Sequence, residues 1–292
     1  MRRRFCFCGG EAATKAKFSF SPDLFWLHLR DLPAFRALLR ATEARFYASL
    51  SFPEPVLDLG CGDGHFGAVA LPHPPDVGLD PAARPLREAS RRRAYRLLLQ
   101  ADGGHLPFPD GSFGTVVSNC VLEHIPDVEP VVREVARVLY LGGRFYFSVP
   151  GPDFLALLFV GRALDRVGLR PLGDLYRRFF HRISRHYYYD GVEGWRARLE
   201  RAGLQLVDAR PYLSPRALAA VELGHYFGLP SLVAKKLTGC WVLCPSRPNL
   251  WLTDRLFRPF YEEAPSPRNG CLFITAWKNC NRRERKERKE FR

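Results

Sequence analysis

Three carboxylates, a glycine-rich turn, an amide and an imidazole fall along the first half of the chain at intervals that suit a polyfunctional ligand. The segment Asp58-Leu59-Gly60-Cys61-Gly62-Asp63-Gly64-His65-Phe66-Gly67 sets an acid two residues before the first of four glycines. Glycines at the end of a strand permit a tight turn and let backbone N–H groups approach a ligand. The N-terminus of a following helix then favours an anionic group. Read from Gly62, the segment is G-x-G-x-x-G, a dinucleotide fingerprint that on its own also serves turns with no ligand. Asp80 closes Val77-Gly78-Leu79-Asp80, where a carboxylate could hold ribose hydroxyls, and Asp102 closes Arg96–Asp102. Asn119 ends Thr115–Asn119, and His124 follows in Leu122-Glu123-His124-Ile125-Pro126, where imidazole could act as a general base. Each also has a plain structural use: Asp58 or Asp102 in a turn, Asp80 before the helix at Pro81, Asn119 as a strand-end cap.

Other chemistries find less support. The eight cysteines stand at 6, 8, 61, 120, 240, 244, 271 and 280 with no CxxC pair, so neither a disulfide framework nor a metal centre is expected. Cys240 and Cys244 are four apart but lack a second pair at zinc spacing. Reduced thiols and the lack of a signal-peptide apolar region point to the cytoplasm. The longest apolar stretch, Ala217–Ala234, is interrupted by Glu222, His225 and Pro230, short of the roughly 20 residues of a spanning helix.

Net charge is +14, unevenly placed: the three opening arginines give +3, residues 281–292 give +4, residues 152–186 give +4 and residues 214–263 give +2. The remainder is nearly neutral, which is not the pattern of a basic globular core.

The elements that must position these residues can be read from periodicity. Leu24–Leu29 and Ala34–Tyr47, with Pro33 as a helix start, read as a helical approach within residues 1–50. From Pro53 the pattern becomes short apolar runs at Val56–Gly60, Val77–Asp80, Arg96–Asp102, Thr115–Asn119 and Arg144–Val149, with helices between, the clearest at Val128–Leu139. Buried strands alternating with helices predict a parallel sheet covered on both faces, an α/β fold. Asp153–Leu169 predicts one apolar helix, and the alternation resumes with a helix near Val192–Ala202, a strand near Leu204–Pro211 and a final strand at Cys271–Lys278. The expected domains are a core over 51–150, continued at 187–213 and 270–280, and helical lid insertions at 151–186 and 214–269. A solvated charged tail is expected over 281–292.

The stretch from Val56 to Pro150 resembles the class I S-adenosylmethionine-dependent methyltransferases, in particular their type-11 group. The matching pieces are VLDLGCGDGHFG, VGLDPA, LQADGGHLPFPDGSF, VVSNCVLEHIPD and VREVARVLYLGGRFYFSVP, in family order and over about a third of the chain. The resemblance implies a Rossmann-like seven-stranded sheet with its last strand antiparallel and S-adenosylmethionine above the carboxyl ends of the strands. It places the methionine part of the cofactor at Asp58, Gly60, Cys61 and Gly62, the ribose diol at Asp80, the adenine at Asp102 and Gly103, and the methyl donor beside Asn119. His124 is the candidate base, needed only for an acceptor that keeps its proton. Two departures stand out: Gly114 where the family carries Asp, and Tyr140-Leu141-Gly142-Gly143 where it carries Lys-Pro-Gly-Gly.

The acceptor must be read from the two insertions. They combine Phe154, Leu157, Phe159, Phe179, Phe180, Trp241 and Trp251 with surplus arginine. This suits a small-molecule or lipid-like substrate with an acidic end, met by Arg177, Arg178, Arg182 or Arg185, and it also suits peripheral contact with an anionic membrane. Tyr187, Tyr188 and Tyr189 are candidates to line the pocket. RNA as acceptor ranks lower, since no RNA-binding module is visible, and a catalytically silent cofactor-binding protein is the remaining alternative.

Overall fold

Apolar runs separated by amphipathic helices give one seven-stranded sheet in the computed structural model, which describes residues 22–279 apart from 265 and 267. The expected tail and the first part of the helical approach lie outside the described residues. Strands β1 (Val56–Leu59), β2 (Val77–Asp80), β3 (Leu97–Gln100), β4 (Phe113–Asn119), β5 (Leu139–Pro150), β6 (Leu204–Tyr212) and β7 (Cys271–Lys278) run in the order β3-β2-β1-β4-β5-β7-β6. β7 is antiparallel to both β5 and β6, and the other neighbours are parallel.

Helices α1 (Leu24–Leu29) and α2 (Ala34–Tyr47) precede the sheet, and α3 (His65–Ala70), α4 (Ala83–Arg92) and α5 (Glu129–Val138) make its crossovers. After β5 come α6 (Phe154–Leu157), α7 (Phe159–Arg166) and α8 (Arg170–Ser184), then α9 (Val192–Arg201) before β6. Helices α10 (Pro215–Phe227), α11 (Leu229–Thr238) and α12 (Arg247–Tyr261) fill the excursion between β6 and β7.

The two-residue period of a strand sends neighbouring side chains to opposite faces. Val116, Phe145 and Phe147 accordingly join Val132, Val135 and Trp195 of the helices on one face. Val117 and Tyr146 join Tyr47, Phe154 and Leu158 on the other.

Two local differences from the sequence reading have physical causes. The single helix expected over 153–169 is broken at Leu158 (φ −54°, ψ 128°). Glu222 of α10 enters the break, where its carboxylate accepts from the N–H groups of Phe159 and Val160 (3.1 Å for the latter) and from the Tyr176 hydroxyl. A helix start normally leaves such N–H groups without partners, so a buried acid from another element replaces a local cap. The second difference is that β5 begins at Leu139, with a register shift against β4 between Phe113 and Thr115. A Cβ on Gly114 would stand 2.5 Å from the Tyr140 hydroxyl. The Pro53 carbonyl oxygen would lie nearer still, so backbone and the Tyr140 hydroxyl together fill the space a side chain at 114 would need.

Candidate active site

β1 and β2 hold the glycine turn from below. The N–H groups of Gly60 and Cys61 both donate to the Leu79 carbonyl, at 2.7 and 3.0 Å. Gly60 has φ +78°, and a Cβ there would lie 2.5 Å from both γ-carbons of Val121. Asp80 at the end of β2 accepts from the Gly62 N–H at 3.0 Å and the Ala82 N–H at 2.8 Å, tying the turn to the head of α4. A Cβ on Gly62 (φ +56°) would meet nothing within 4 Å, so the backbone here presents an open face.

Asp58 is buried beneath this turn and accepts from the Tyr95 hydroxyl at 2.7 Å. Burial pushes its carboxyl up to about 6, against the lowering effects of the Tyr95 hydrogen bond and of Arg40. Tyr95 lies across two further glycines: a Cβ on Gly67 would be 2.9 Å from its Cζ, and one on Gly78 2.8 Å from its Cδ1. Neither the tyrosine nor the reason for these glycines was apparent from the sequence. Burial also raises the Cys61 thiol, leaving it neutral.

A cavity of about 460 Å³ opens above the turn, walled by Asp58, Gly60, Cys61, Gly62 and Asn119 together with Arg36 and Arg40 of α2. Asp80, Asp102 and Gly103 lie outside its lining. The Asp102 carboxylate accepts from the Gly104 N–H at 2.7 Å, and Gly103 packs beside Leu59.

Asn119 is held by a buried network that sequence reasoning missed, centred on Glu43 of α2. The Asn119 amide donates to Glu43 Oε2 at 2.6 Å, and its oxygen accepts from the Ser148 hydroxyl at 2.9 Å. Arg40 donates to the same Oε2 at 2.9 Å, while the Tyr212 hydroxyl and the Cys120 thiol approach Oε1 at 2.8 and 2.9 Å. Burial, then the charge of Glu43, raises both Tyr212 and Cys120, so both remain protonated donors. The available signal was positional: Glu43 is an acid within the inward stripe of α2 that includes Ala37, Ala41, Ala44 and Tyr47.

A second cavity of about 470 Å³ adjoins the first, with Phe35, Leu39, Phe154, Phe180, Leu229 and Trp241 in its walls. Arg36, Arg40, Cys120, Leu232 and Trp241 line both. His124 belongs to the second cavity, beside Glu123 and His186, with its Nδ1 3.1 Å from the Arg185 carbonyl oxygen. Burial pulls His124 below the usual imidazole range.

Three expectations about the acceptor side need correction. Tyr187, Tyr188 and Tyr189 are not in the lining: Tyr188 lies under the Arg198 guanidinium at 4.5 Å, and Tyr189 stacks on Phe154 at 5.9 Å. Arg177 is committed to Asp165 and Asp174. Arg178, Arg182 and Arg185 also stay outside the lining, leaving the cavity's guanidinium groups to come from α2 as Arg36 and Arg40.

Comparison with known proteins agrees with this architecture. Residues 57–147 match the family model described as a methyltransferase domain. Malonyl-(acyl-carrier protein) O-methyltransferase of Legionella pneumophila is 30% identical over 139 residues, covering 44% of this chain and 49% of that one. The 27-O-demethylrifamycin SV methyltransferase of Amycolatopsis mediterranei is 35% identical over 111 residues, 33% of this chain and 40% of its own length. The chain therefore spans less than half the length of either relative. A Listeria monocytogenes structure assigned as an S-adenosylmethionine-dependent methyltransferase superposes with a TM-score of 0.50 at 19% identity, covering 84% of this chain and all of that one. That likeness concerns the fold alone. With an acid-led glycine turn, a family match over β1 to β5 and an antiparallel β7 in the sheet, residues 57–147 carry a methyltransferase domain of the type-11 group of the class I S-adenosylmethionine-dependent enzymes.

Proposed function

We propose that this protein transfers a methyl group from S-adenosylmethionine to an amphipathic small molecule or lipid-like acceptor. The observation that carries the reading is that the two cavities meet, sharing five wall residues. The first cavity fits the cofactor through an open backbone face at Gly62 and a buried carboxylate at Asp58, while Asp80 at the end of β2 and Asp102 and Gly103 after β3 stand outside its lining as the candidates for the ribose and adenine. When bound, S-adenosylmethionine supplies an electrophilic methyl on a sulfonium. The chain's own part is then to orient the acceptor and exclude water, and orientation alone lowers such a barrier substantially. The aromatic walls of the second cavity take the acceptor's apolar body. Arg36, stacked over Trp241 at 5.2 Å, meets an acidic end, because Arg40 is already engaged by Glu43. An oxygen nucleophile is in keeping with the O-methyltransferase name of the Legionella relative. His124 lines the same cavity, where the acceptor's proton must be lost.

The lipid-like option draws on α11, where Leu229, Val233 and Leu237 are exposed beside Lys236. No single helix among the described residues is long and apolar enough to cross a membrane, although α10 and α11, bent by 52°, pass together on composition. The test is to incubate the protein with methyl-labelled cofactor and fractionated cell extract. Label in lipids or small metabolites is expected. Label confined to RNA, with RNA binding that falls steeply with salt, would overturn the reading.

Two expected outcomes concern the cofactor. Asp80→Ala should weaken binding of the cofactor and its demethylated product by about 1.5–3 kcal/mol, since it removes charge-assisted hydrogen bonds. Calorimetry that finds Asp80→Ala equal to the parent would reject the ribose assignment.

The second outcome is a pH dependence. The Asp58 carboxyl at about 6 lies above its ordinary value of 3.8, so between these values the folded chain binds the extra proton. Stability therefore falls as pH rises from about 4 to 6 and is level above. A ligand ammonium placed at Asp58 reverses the preference and favours the carboxylate. Cofactor affinity should then rise about tenfold from pH 5 to pH 7 and flatten beyond. In Asp58→Asn the profile should be flat, and an unchanged slope there would reject the assignment.

A further inference from the structure

We propose that Glu123, His124 and His186 form a binding site for a divalent transition-metal ion, Zn²⁺ foremost, in the wall of the second cavity. One ligand atom from each of the three lies within 4.8 Å of the others, and all three residues line that cavity. The inference deepens the proposed function, because it rests on the reading of this cavity as the acceptor's.

Glu123 stands in the single 3-10 turn after β4, Leu122–His124, and is 2% exposed. Its Oε2 has no hydrogen-bond partner, and neither has the buried Nδ1 of His186. Buried polar atoms are almost always satisfied, so two orphans in one cluster point to a missing partner. Arg40, the cation whose field reaches Glu123, donates its hydrogen bond to Glu43 instead.

The tautomer of His124 follows from its surroundings. Its Nδ1 is 3.1 Å from the Arg185 carbonyl oxygen, which can only accept, so Nδ1 carries the proton. Nε2 then keeps its lone pair, 3.9 Å from Glu123 Oε1. A ring N–H donated to a backbone carbonyl is the usual outer support of a metal-bound histidine.

Two imidazoles and a carboxylate make a ligand set for zinc and its neighbours that leaves a coordination position open. Zinc bonds of about 2.0–2.2 Å require ligand atoms about 3.4 Å apart, so modest side-chain rotation closes the present set. His124, whose side chain is 45% exposed, has room to turn. The open position would face the acceptor. A hydroxyl bound there ionises more readily, its proton passing to solvent, and His124 acts as a ligand and not as the base. Glu123 and His124 are adjacent but His186 lies 62 residues on, which is why no metal spacing was visible.

The test uses the full chain, stripped with a chelator and dialysed against Zn²⁺ or Co²⁺. One equivalent of tightly held metal per chain is expected, with Co²⁺ giving visible bands and no thiolate charge-transfer band. His186→Ala and Glu123→Gln should each lower affinity about tenfold or more. The Cys240→Ser/Cys244→Ser double variant should keep the metal. If Glu123→Gln fails to fold, the half-buried His186 still supplies the decision. Absence of stoichiometric metal, full retention in His186→Ala, or loss in the cysteine variant would overturn the site. Binding of the demethylated cofactor, followed separately by calorimetry, distinguishes failure of this site from failure of the proposed function.

Discussion

Gly60→Ala should reduce cofactor affinity about a hundredfold or more and lower stability by about 2–5 kcal/mol. Two independent effects converge on this residue. Its φ of +78° is a conformation that costs an L-residue about 1–2 kcal/mol. The new methyl would also stand 2.5 Å from both γ-carbons of Val121, on the loop that follows β4. Relief of such overpacking typically costs a further 1–3 kcal/mol or so and moves backbone. The backbone that must move is the turn itself, because the N–H groups of Gly60 and Cys61 share the Leu79 carbonyl. Moving them displaces Gly62 from Asp80 and closes the open face proposed for the cofactor. Val121→Ala in the same chain should recover much of the stability but only part of the affinity, since the φ penalty remains. Urea denaturation and calorimetry read the two quantities separately. Parent-like affinity in Gly60→Ala would mean that the turn is not where the cofactor sits.

Much of this frame was legible in the sequence because it is local. Val56–Leu59 is apolar on both sides of Asp58 and ends at glycine, so both its burial and the turn beyond it follow from neighbouring residues. β7 was foreseen at its observed limits, Cys271–Lys278, from its apolar run, but its antiparallel direction only through resemblance. What stayed hidden depends on contacts distant in sequence. Tyr95 explains Gly67 and Gly78 only once α4 has turned the chain back over β1. Glu222 breaks a predicted helix 63 residues away. Arg177 of α8 looked free because one of its partners, Asp165, belongs to a neighbouring helix. The guanidinium groups that line the second cavity come instead from α2, which looked in sequence like a mere approach to the domain.

That helix yields the second large effect: Glu43→Ala should cost about 3–5 kcal/mol of stability and weaken the cofactor as well. Glu43 is fully buried, and its two oxygens accept from Arg40, Asn119, Tyr212 and the Cys120 thiol. Removing one partner of a buried pair leaves the other charge uncompensated, which is where the larger part of the loss arises. Here that orphan is Arg40, while the Asn119 amide and Tyr212 hydroxyl lose acceptors whose absence costs about 1–3 kcal/mol each before relaxation. Glu43→Gln keeps the volume but turns an amide donor toward groups that are themselves donors, so it should recover only part of the stability. Replacing Arg40 and Glu43 together by leucine should be milder than Glu43→Ala, because no charge is left behind. The double variant should still bind cofactor poorly, since Arg40 and Asn119 wall the first cavity and both take their positions from Glu43. Stability would be read by urea denaturation and affinity by calorimetry with the demethylated cofactor. A loss below about 1 kcal/mol in Glu43→Ala is the size of an ordinary surface change and would show the network to be incidental. A large stability loss with parent affinity in the double variant would confine Glu43 to holding α2 on the sheet, and the site would then have to keep Asn119 in place through the Ser148 and Tyr47 hydroxyls.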